Sequence, residues 1–248
     1  MWVTLRHAIF SHMPRKLQIR HWVQHEIRTG ERELRLVSTL LRSSGTLVDI
    51  GANAGIYSAI ALDHRRWVVA FEPVPEEAAR LRCLIGVRGV VYQIALSDHN
   101  GTATLHVPYH GERAVTTRSS LEEDVDPELC HRKLTVKIET LDSFELAQIS
   151  LIKIDVEGHE LAVLRGAVQT IIRCRPNLLI EVEESRVAGS LQAVSDFLSS
   201  MNYSGFWFDG KELKSISNFN PVRQQAVRPR FGEPRSEEYI NNFIWLPS

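Results

Sequence analysis

The chain of 248 residues has only three cysteines, Cys83, Cys130 and Cys174. They are widely spaced, odd in number and form no CxxC or Cys/His ligand pattern. That argues against a structural zinc, favours a reducing compartment, and leads us to expect a cytoplasmic protein. Net charge is equally scarce. Lys and Arg number 29 against 30 Asp and Glu, and the balance of -1 offers no general field for nucleic acid or an anionic membrane surface. No apolar run reaches the ~18 residues that a helical membrane span requires. The sequence has no internal repeat, no low-complexity tract and no GxGxxG dinucleotide fingerprint. Arg6, Arg15, Lys16 and Arg20 precede the first acid, Glu26, a weak likeness to a targeting peptide. For residues 1–45 we instead expect a helical segment lying on the domain.

Hydrophobic residues make up 44% of the chain, enough for one globular core. Leu34, Val37, Leu40 and Leu41 recur at helical spacing and predict a helix over residues 31–42. Strands are expected at residues 46–50, 67–71, 90–96, 151–154 and 177–182, and helices at 56–64, 75–86, 160–173 and 190–201. This alternation predicts βαβ units and a mainly parallel sheet buried on both faces. The rhythm breaks at residues 102–138, which read as an inserted antiparallel hairpin around a polar segment. Residues 203–208 and 242–246 are aromatic runs suited to a closing hairpin. The loop between them, residues 209–240, carries Arg223, Arg228, Arg230 and Arg235. Long loops on α/β domains often cover the ligand site, and arginines there suit a phosphate or carboxylate on the acceptor, a solvated loop being the commoner alternative.

Three stretches carry the chemistry. Residues 47–60, LVDIGANAGIYSAI, read as strand, glycine turn and helix. Gly51 and Gly55 permit close approach of backbone N–H groups to a ligand at the helix start, and the Gly51, Asn53, Gly55 spacing suits a carboxylate better than a pyrophosphate. Asp49, inside that strand, needs partners if buried, from loop N–H groups or a ligand cation. Glu72 ends the next strand about 20 residues after the loop, the place where an α/β nucleotide site holds a ribose. Residues 151–160, LIKIDVEGHE, run from an apolar strand into Asp155, Glu157, His159 and Glu160. In an open parallel sheet the ligand crevice lies beyond the carboxyl ends of the strands, so these charges are expected on the same edge as the glycine loop. The competing readings are a helix cap for Asp155, acids placed at that helix's positive end for Glu157 and Glu160, and an exposed first-turn residue for His159. A zinc-protease HExxH is not met, because position 163 is Val163.

DIGANAG at 49–55, FEP at 71–73, ALSD at 95–98 and KIDVEGHE at 153–160 together resemble the FkbM family of S-adenosylmethionine-dependent methyltransferases. The resemblance implies an α/β fold of the class I, Rossmann-like type: a mainly parallel seven-stranded sheet flanked by helices, with the last strand antiparallel, over residues 46–248. It implies methyl transfer, usually to oxygen. It also implies that Gly51, Asn53 and Gly55 face the methionine end of the cofactor, Glu72 the ribose, and Leu96, Ser97 and Asp98 the adenine edge. Asp155, Glu157 and His159 are the candidate catalytic residues, with Asp155 or His159 as general base. The two acids have three candidate roles: holding an acceptor hydroxyl, ligating a divalent cation, or facing the cationic donor. Glu181 and Glu183, ending the following strand, and Ser119, beside Ser120 in the insertion, are candidate substrate contacts. The expected partner is a small hydroxylated acceptor, such as a sugar or a natural-product intermediate, and not nucleic acid. The alternatives are a non-catalytic methyltransferase-like binding module and an NAD-dependent dehydrogenase.

Overall fold

The computed structural model describes residues 15–41, 44–110, 113–114, 119–121, 130–225 and 239–248. The main sheet takes its strands from apolar runs whose side chains alternate between two cores: β1 (Thr46–Ile50), β2 (Val68–Phe71), β3 (Gly89–Tyr92), β8 (Ile149–Ile154), β9 (Asn177–Glu181), β10 (Tyr203–Phe208), β11 (Leu213–Ser215) and β12 (Asn242–Pro247). Their spatial order is β11-β10-β12-β9-β8-β1-β2-β3. β1, β2, β3, β8 and β9 pair in parallel, and β12 lies antiparallel between β9 and β10. The expected closing hairpin therefore forms with its second strand inserted into the sheet. One strand more than the expected seven is present, because β11 adds antiparallel to β10 at the edge.

Period-two alternation distributes the strands' side chains. Val48, Ile50, Ile152, Ile154, Leu178 and Ile180 face one side, with α5 (Glu160–Arg165), α6 (Val168–Cys174) and α7 (Ser190–Ser200). Leu47, Val68, Ala70, Leu151 and Leu179 face the other, with α1 (Arg15–Thr29), α2 (Val37–Leu40), α3 (Ile56–Asp63) and α4 (Pro75–Ile85). Helix α1 packs on α3 through Val23 and its partly buried neighbours Ile19, Trp22 and Ile27. A second sheet is built from β4 (Ala95–Leu96), β5 (Gly101–His110), β6 (Arg113–Ala114) and β7 (Cys130–Glu139). Strands β5 and β7 pair antiparallel, as expected of the insertion.

Three elements depart from expectation. The helix expected over residues 31–42 is a 3₁₀ turn, Arg32–Arg35, followed by the single turn of α2. The apolar face is as expected, with Leu34, Val37, Leu40 and Leu41 buried, but Glu33 is buried beside them and the backbone bonds tighten to i→i+3 around Leu36. The strand expected at residues 90–96 divides at the exposed Gln93, and β4 leaves the main sheet to pair in parallel with β7. The helix expected at residues 160–173 breaks at Gly166, where a Cβ would stand 2.0 Å from the Ser97 carbonyl oxygen. The Asp142 carboxylate caps the second half, accepting the Gln169 and Thr170 N–H groups at 3.0 and 2.7 Å. That break lets the end of β4 approach the main sheet and close one wall of the site.

Candidate active site

The carboxyl ends of β1, β2 and β8 meet β4 and the insertion around an open cleft of about 650 Å³. Its lining includes Gly51, Asn53, Glu72, Leu96, Ser119, Asp155 and Glu157, with apolar walls from Ile50, Phe71, Ile94, Leu105 and Val156. Seven of the residues singled out by sequence thus converge from five separate segments.

The glycine turn is tied to both neighbouring strands. Gly51 and Ala52 donate N–H to the Phe71 carbonyl, at 2.9 and 3.2 Å, and the Asp155 N–H donates to Ile50 at 3.0 Å. Gly51 has φ +73° and lies so close to β8 that a Cβ would stand 1.8 Å from the Asp155 carbonyl oxygen. Close approach of backbone to backbone therefore already demands glycine here. We predict that Gly51→Ala lowers stability by more than ~1 kcal/mol, since neither the φ nor the space suits alanine. Cofactor binding should fall with it. Urea denaturation and calorimetry check both, and wild-type values in both would contradict the geometry. Gly55, at the start of α3, packs against the Leu81 and Leu84 side chains.

Glu72 is buried, and each of its oxygens is occupied: Asn53 donates N–H to Oε2 and Val74 to Oε1, both at 2.8 Å. Asn53 takes a left-handed φ of 44° to do so, and its Oδ1 accepts the Ala54 N–H at 2.7 Å. Burial pushes the Glu72 carboxyl up to about 7, against the pull of those two N–H groups. Asp49 is absent from the cleft lining. It lies below the glycine turn, where Ser58 donates both N–H and Oγ to its Oδ2, at 3.1 and 2.6 Å. Its partners are therefore α3 groups rather than a ligand, and burial raises it to about 6.

The adenine-edge candidates separate. Leu96 lines the cleft, buried Ser97 lies 2.9 Å through Oγ from His159 Nε2, and Asp98 is exposed and paired at 2.6 Å with His99 Nδ1. His159 is outside the cleft lining, and its ring fastens the start of α5 to the β4 end. Glu157 lines the cleft but is ion-paired with Arg186, both side chains about a tenth exposed, and its carbonyl accepts Ser120 Oγ at 2.8 Å. Arg186 also faces Glu183, whose Oε1 accepts Tyr239 OH at 2.8 Å. Ser119 lines the cleft with its Oγ buried and without a partner among the described residues. Glu160 accepts the Gly158 N–H at 2.8 Å, and burial raises it to about 7.

Sequence reasoning missed Lys153. Its side chain is 1% exposed, on a strand buried on both faces, and its Nζ donates to the Ile154 carbonyl and Asn242 Oδ1 at 3.2 and 3.1 Å. It also stands 3.7 Å from Asp155 Oδ2 and 5.0 Å from the Tyr57 ring centroid. Burial lowers its pKa, but the carboxylates of Asp155, Glu181, Glu31 and Asp49 outweigh that, and the ammonium is held above its ordinary value. Around it Tyr57 OH donates to Glu31 Oε2 at 2.8 Å, and Asn241 donates to Glu181 Oε1. Glu181 belongs to this network and is not part of the cleft lining. An ionisable residue between Ile152 and Ile154 in a buried strand was the available signal; Arg186, in a polar loop, offered none.

Of the acids set by sequence around the strand end, only Asp155 combines cleft position with solvent access, its side chain being 31% exposed. The divalent-cation reading of Asp155 and Glu157 finds no support. Among the described residues no three His, Cys, Asp or Glu side chains are grouped to hold a metal, and the two acids are engaged by Lys153 and Arg186.

Buried acids also give the fold a pH signature. Burial raises Glu33, Glu72 and Glu160 to about 7 and Asp49 to about 6, above the 4.5 and 3.8 of exposed chains. The folded state then holds protons that the unfolded chain releases. This contribution is complete below pH ~4 and is lost as pH rises through ~7, each group giving up about 1.4 kcal/mol for every tenfold fall in proton concentration between its two values. The urea midpoint should accordingly be higher at pH ~5.5 than at ~7.5. An equal or lower midpoint at the acid value would contradict these burials.

Strand order, the antiparallel β12 and a cleft at the carboxyl ends of the first strands define a class I, Rossmann-like methyltransferase fold. Residues 49–204 match the Methyltransferase FkbM domain, and the chain belongs to that methyltransferase family. It is 27% identical over 160 residues to the hexuronic acid methyltransferase AglP of Haloferax volcanii, covering 60% of this chain and 61% of AglP. It is 28% identical over 162 residues to the 2-O-methyltransferase NoeI of Sinorhizobium fredii, covering 56% of this chain and 64% of NoeI. The AMB antimetabolite synthetase AmbE of Pseudomonas aeruginosa matches 80% of the chain at 26% identity, over 11% of AmbE. The chain thus spans under two thirds of each relative. Among solved structures, Methyltransferase FkbM from Methylobacillus flagellatus KT shares the fold, with a TM-score of 0.51 at 15% identity, covering 96% of this chain and 57% of that one.

Proposed function

We propose that the protein transfers a methyl group from S-adenosylmethionine to a hydroxyl oxygen of a small acceptor, such as a sugar unit. The observation that carries this reading is the convergence on one cleft of the Gly51 turn, the Glu72 carboxylate and the Asp155 carboxylate. The residues fit the cofactor. The apolar walls suit a base and thioether, a buried acid beside the turn suits ribose hydroxyls, and Ser119 Oγ, without a partner among the described residues, has a hydrogen bond to offer. AglP and NoeI, both named as methyltransferases and one as a 2-O-methyltransferase, support oxygen as the acceptor atom.

When bound, S-adenosylmethionine supplies an electrophilic methyl group on a cationic sulfur. The chain's own work is to orient the acceptor, exclude water and remove a proton. Asp155, at the cleft edge, is placed to take the proton of the acceptor hydroxyl. Lys153, behind it, holds that carboxylate in place and balances its charge. Glu157 and His159 act structurally, through Arg186 and Ser97. Residues 46–248 are the catalytic domain on this reading, with α1 packed against it. Incubation with methyl-labelled cofactor and a panel of sugars and hydroxylated metabolites tests the proposal. Label should appear as a base-stable, oxygen-linked methyl group. Label on nitrogen or carbon, or none with any acceptor from protein that binds the cofactor, would contradict it.

A further inference from the structure

A second cavity, of about 570 Å³, lies on the same carboxyl edge of the sheet and is lined by Arg32, Trp207, Asp209, Lys214, Arg223, Gln224 and Ile240. Three cationic side chains face the Asp209 carboxylate there, with Glu212 at the rim 3.9 Å from Lys214, an excess of one positive charge in a protein whose overall charge is -1. Lys214 is positioned by three contacts, 2.9 Å to Asp209 Oδ2, 3.9 Å to Glu212 Oε1 and 5.7 Å above the Trp207 ring, and Arg32 donates to the Asp209 carbonyl at 3.2 Å. Arg223 is exposed and has no ion pair among the described residues. Arg228, Arg230 and Arg235, its companions in sequence, lie outside the described residues.

Neighbours along the chain tie this cavity to the Lys153 network. Arg32 follows Glu31, which accepts from Tyr57 and Asn242, and Ile240 precedes Asn241 and Asn242. From β8, which carries Asp155 at its end, to β10, which carries Trp207, there are three strand steps. At ~4.8 Å each these amount to ~14 Å, the reach of about two sugar units.

We propose that this cavity binds an anionic group, a carboxylate or phosphate, on a glycan-like acceptor whose hydroxyl lies at Asp155. The cations hold the anion and the Trp207 face takes the adjoining sugar ring. This rests on the methyl-transfer reading and narrows its substrate to acidic saccharides. Nothing covalent occurs here; the cavity selects and orients.

The test is calorimetric titration of the full chain, at low ionic strength, with glucuronic acid, glucose 1-phosphate and glucose. Saturable binding of at least one acidic sugar, about tenfold or more tighter than glucose, is the expected result. Whichever acidic sugar binds tighter identifies the anion as carboxylate or phosphate. Arg223→Glu should weaken that binding about tenfold or more while leaving S-adenosylhomocysteine affinity unchanged, Arg223 lying outside the lining of the cofactor cleft. Equal affinity for glucose and the acidic sugars, no binding of either acid, or an unaltered affinity in Arg223→Glu would overturn the proposal. Cofactor binding, measured in the same preparations, separates that failure from failure of the methyl-transfer reading.

Discussion

Asp155→Asn should reduce turnover by ~10²–10⁴-fold, the usual contribution of a positioned general base, while changing S-adenosylhomocysteine affinity by less than about threefold. The substitution is nearly isosteric at a partly exposed side chain, and the Asp155 backbone N–H that ties β8 to Ile50 is untouched. What it removes is the partner of Lys153 and, on the proposed mechanism, the proton acceptor in the cleft. The comparison that gives the result meaning is Glu157→Gln. There the loss of the ion pair with Arg186, both side chains about a tenth exposed, should appear mainly as lost stability. Single-turnover rates with labelled cofactor, set beside urea midpoints for both variants, separate the two roles. Undiminished turnover in Asp155→Asn, or equal loss of turnover and cofactor affinity, would remove Asp155 from proton transfer.

Glu72→Gln is expected to weaken cofactor binding by ~10–100-fold, or about 1.4–2.7 kcal/mol. Glutamine keeps the shape but supplies one acceptor oxygen where the carboxylate supplies two. Either the Asn53 or the Val74 N–H then faces an amide nitrogen that cannot accept, beside a side chain that is buried. On the proposed reading the ribose also loses a charged acceptor. A second readout follows from burial. Because the Glu72 carboxyl sits at about 7, wild-type affinity should rise between pH ~6 and ~8 as the carboxylate forms, whereas Glu72→Gln should be flat over that range. This runs opposite to the stability trend, so the two pH effects cannot be confused. A variant with wild-type affinity and a wild-type pH slope would place the ribose elsewhere.

The fold was legible where a single physical rule acted alone. Residues 46–50, 151–154 and 203–208 are apolar runs of strand length, and the strands found there are Thr46–Ile50, Ile149–Ile154 and Tyr203–Phe208. Tertiary demands decided where expectation failed. Gly166 breaks a helically spaced segment because the Ser97 carbonyl comes too close for any side chain, and nothing local announces that approach. Glu33, in the first turn of the helix expected over residues 31–42, is buried, and among the charges that act on it Lys153 comes from 120 residues further along the chain.

Legibility of the site divides along the same line. Gly51, Asn53, Glu72 and Asp155 stand at strand ends, which topology forces to one edge, and all four line the cleft. Asp49, Asp98 and His159 belong to the same motifs but point to other partners, because a motif fixes position along the backbone and not which neighbour a side chain meets. Lys153 and Arg186 govern the two central acids from β8 itself and from a loop some 30 residues on, and pairings of that kind become visible only when the chain is folded.

On the proposed reading the Gly51–Glu72–Asp155 cleft holds S-adenosylmethionine. Calorimetric titration of the purified chain with S-adenosylhomocysteine, with NAD as control and Glu72→Gln alongside, tests it most directly. Micromolar one-to-one binding of S-adenosylhomocysteine, weakened in the variant, and no heat with NAD are expected. Folded wild-type protein that binds neither, or binds NAD in preference, would contradict that reading.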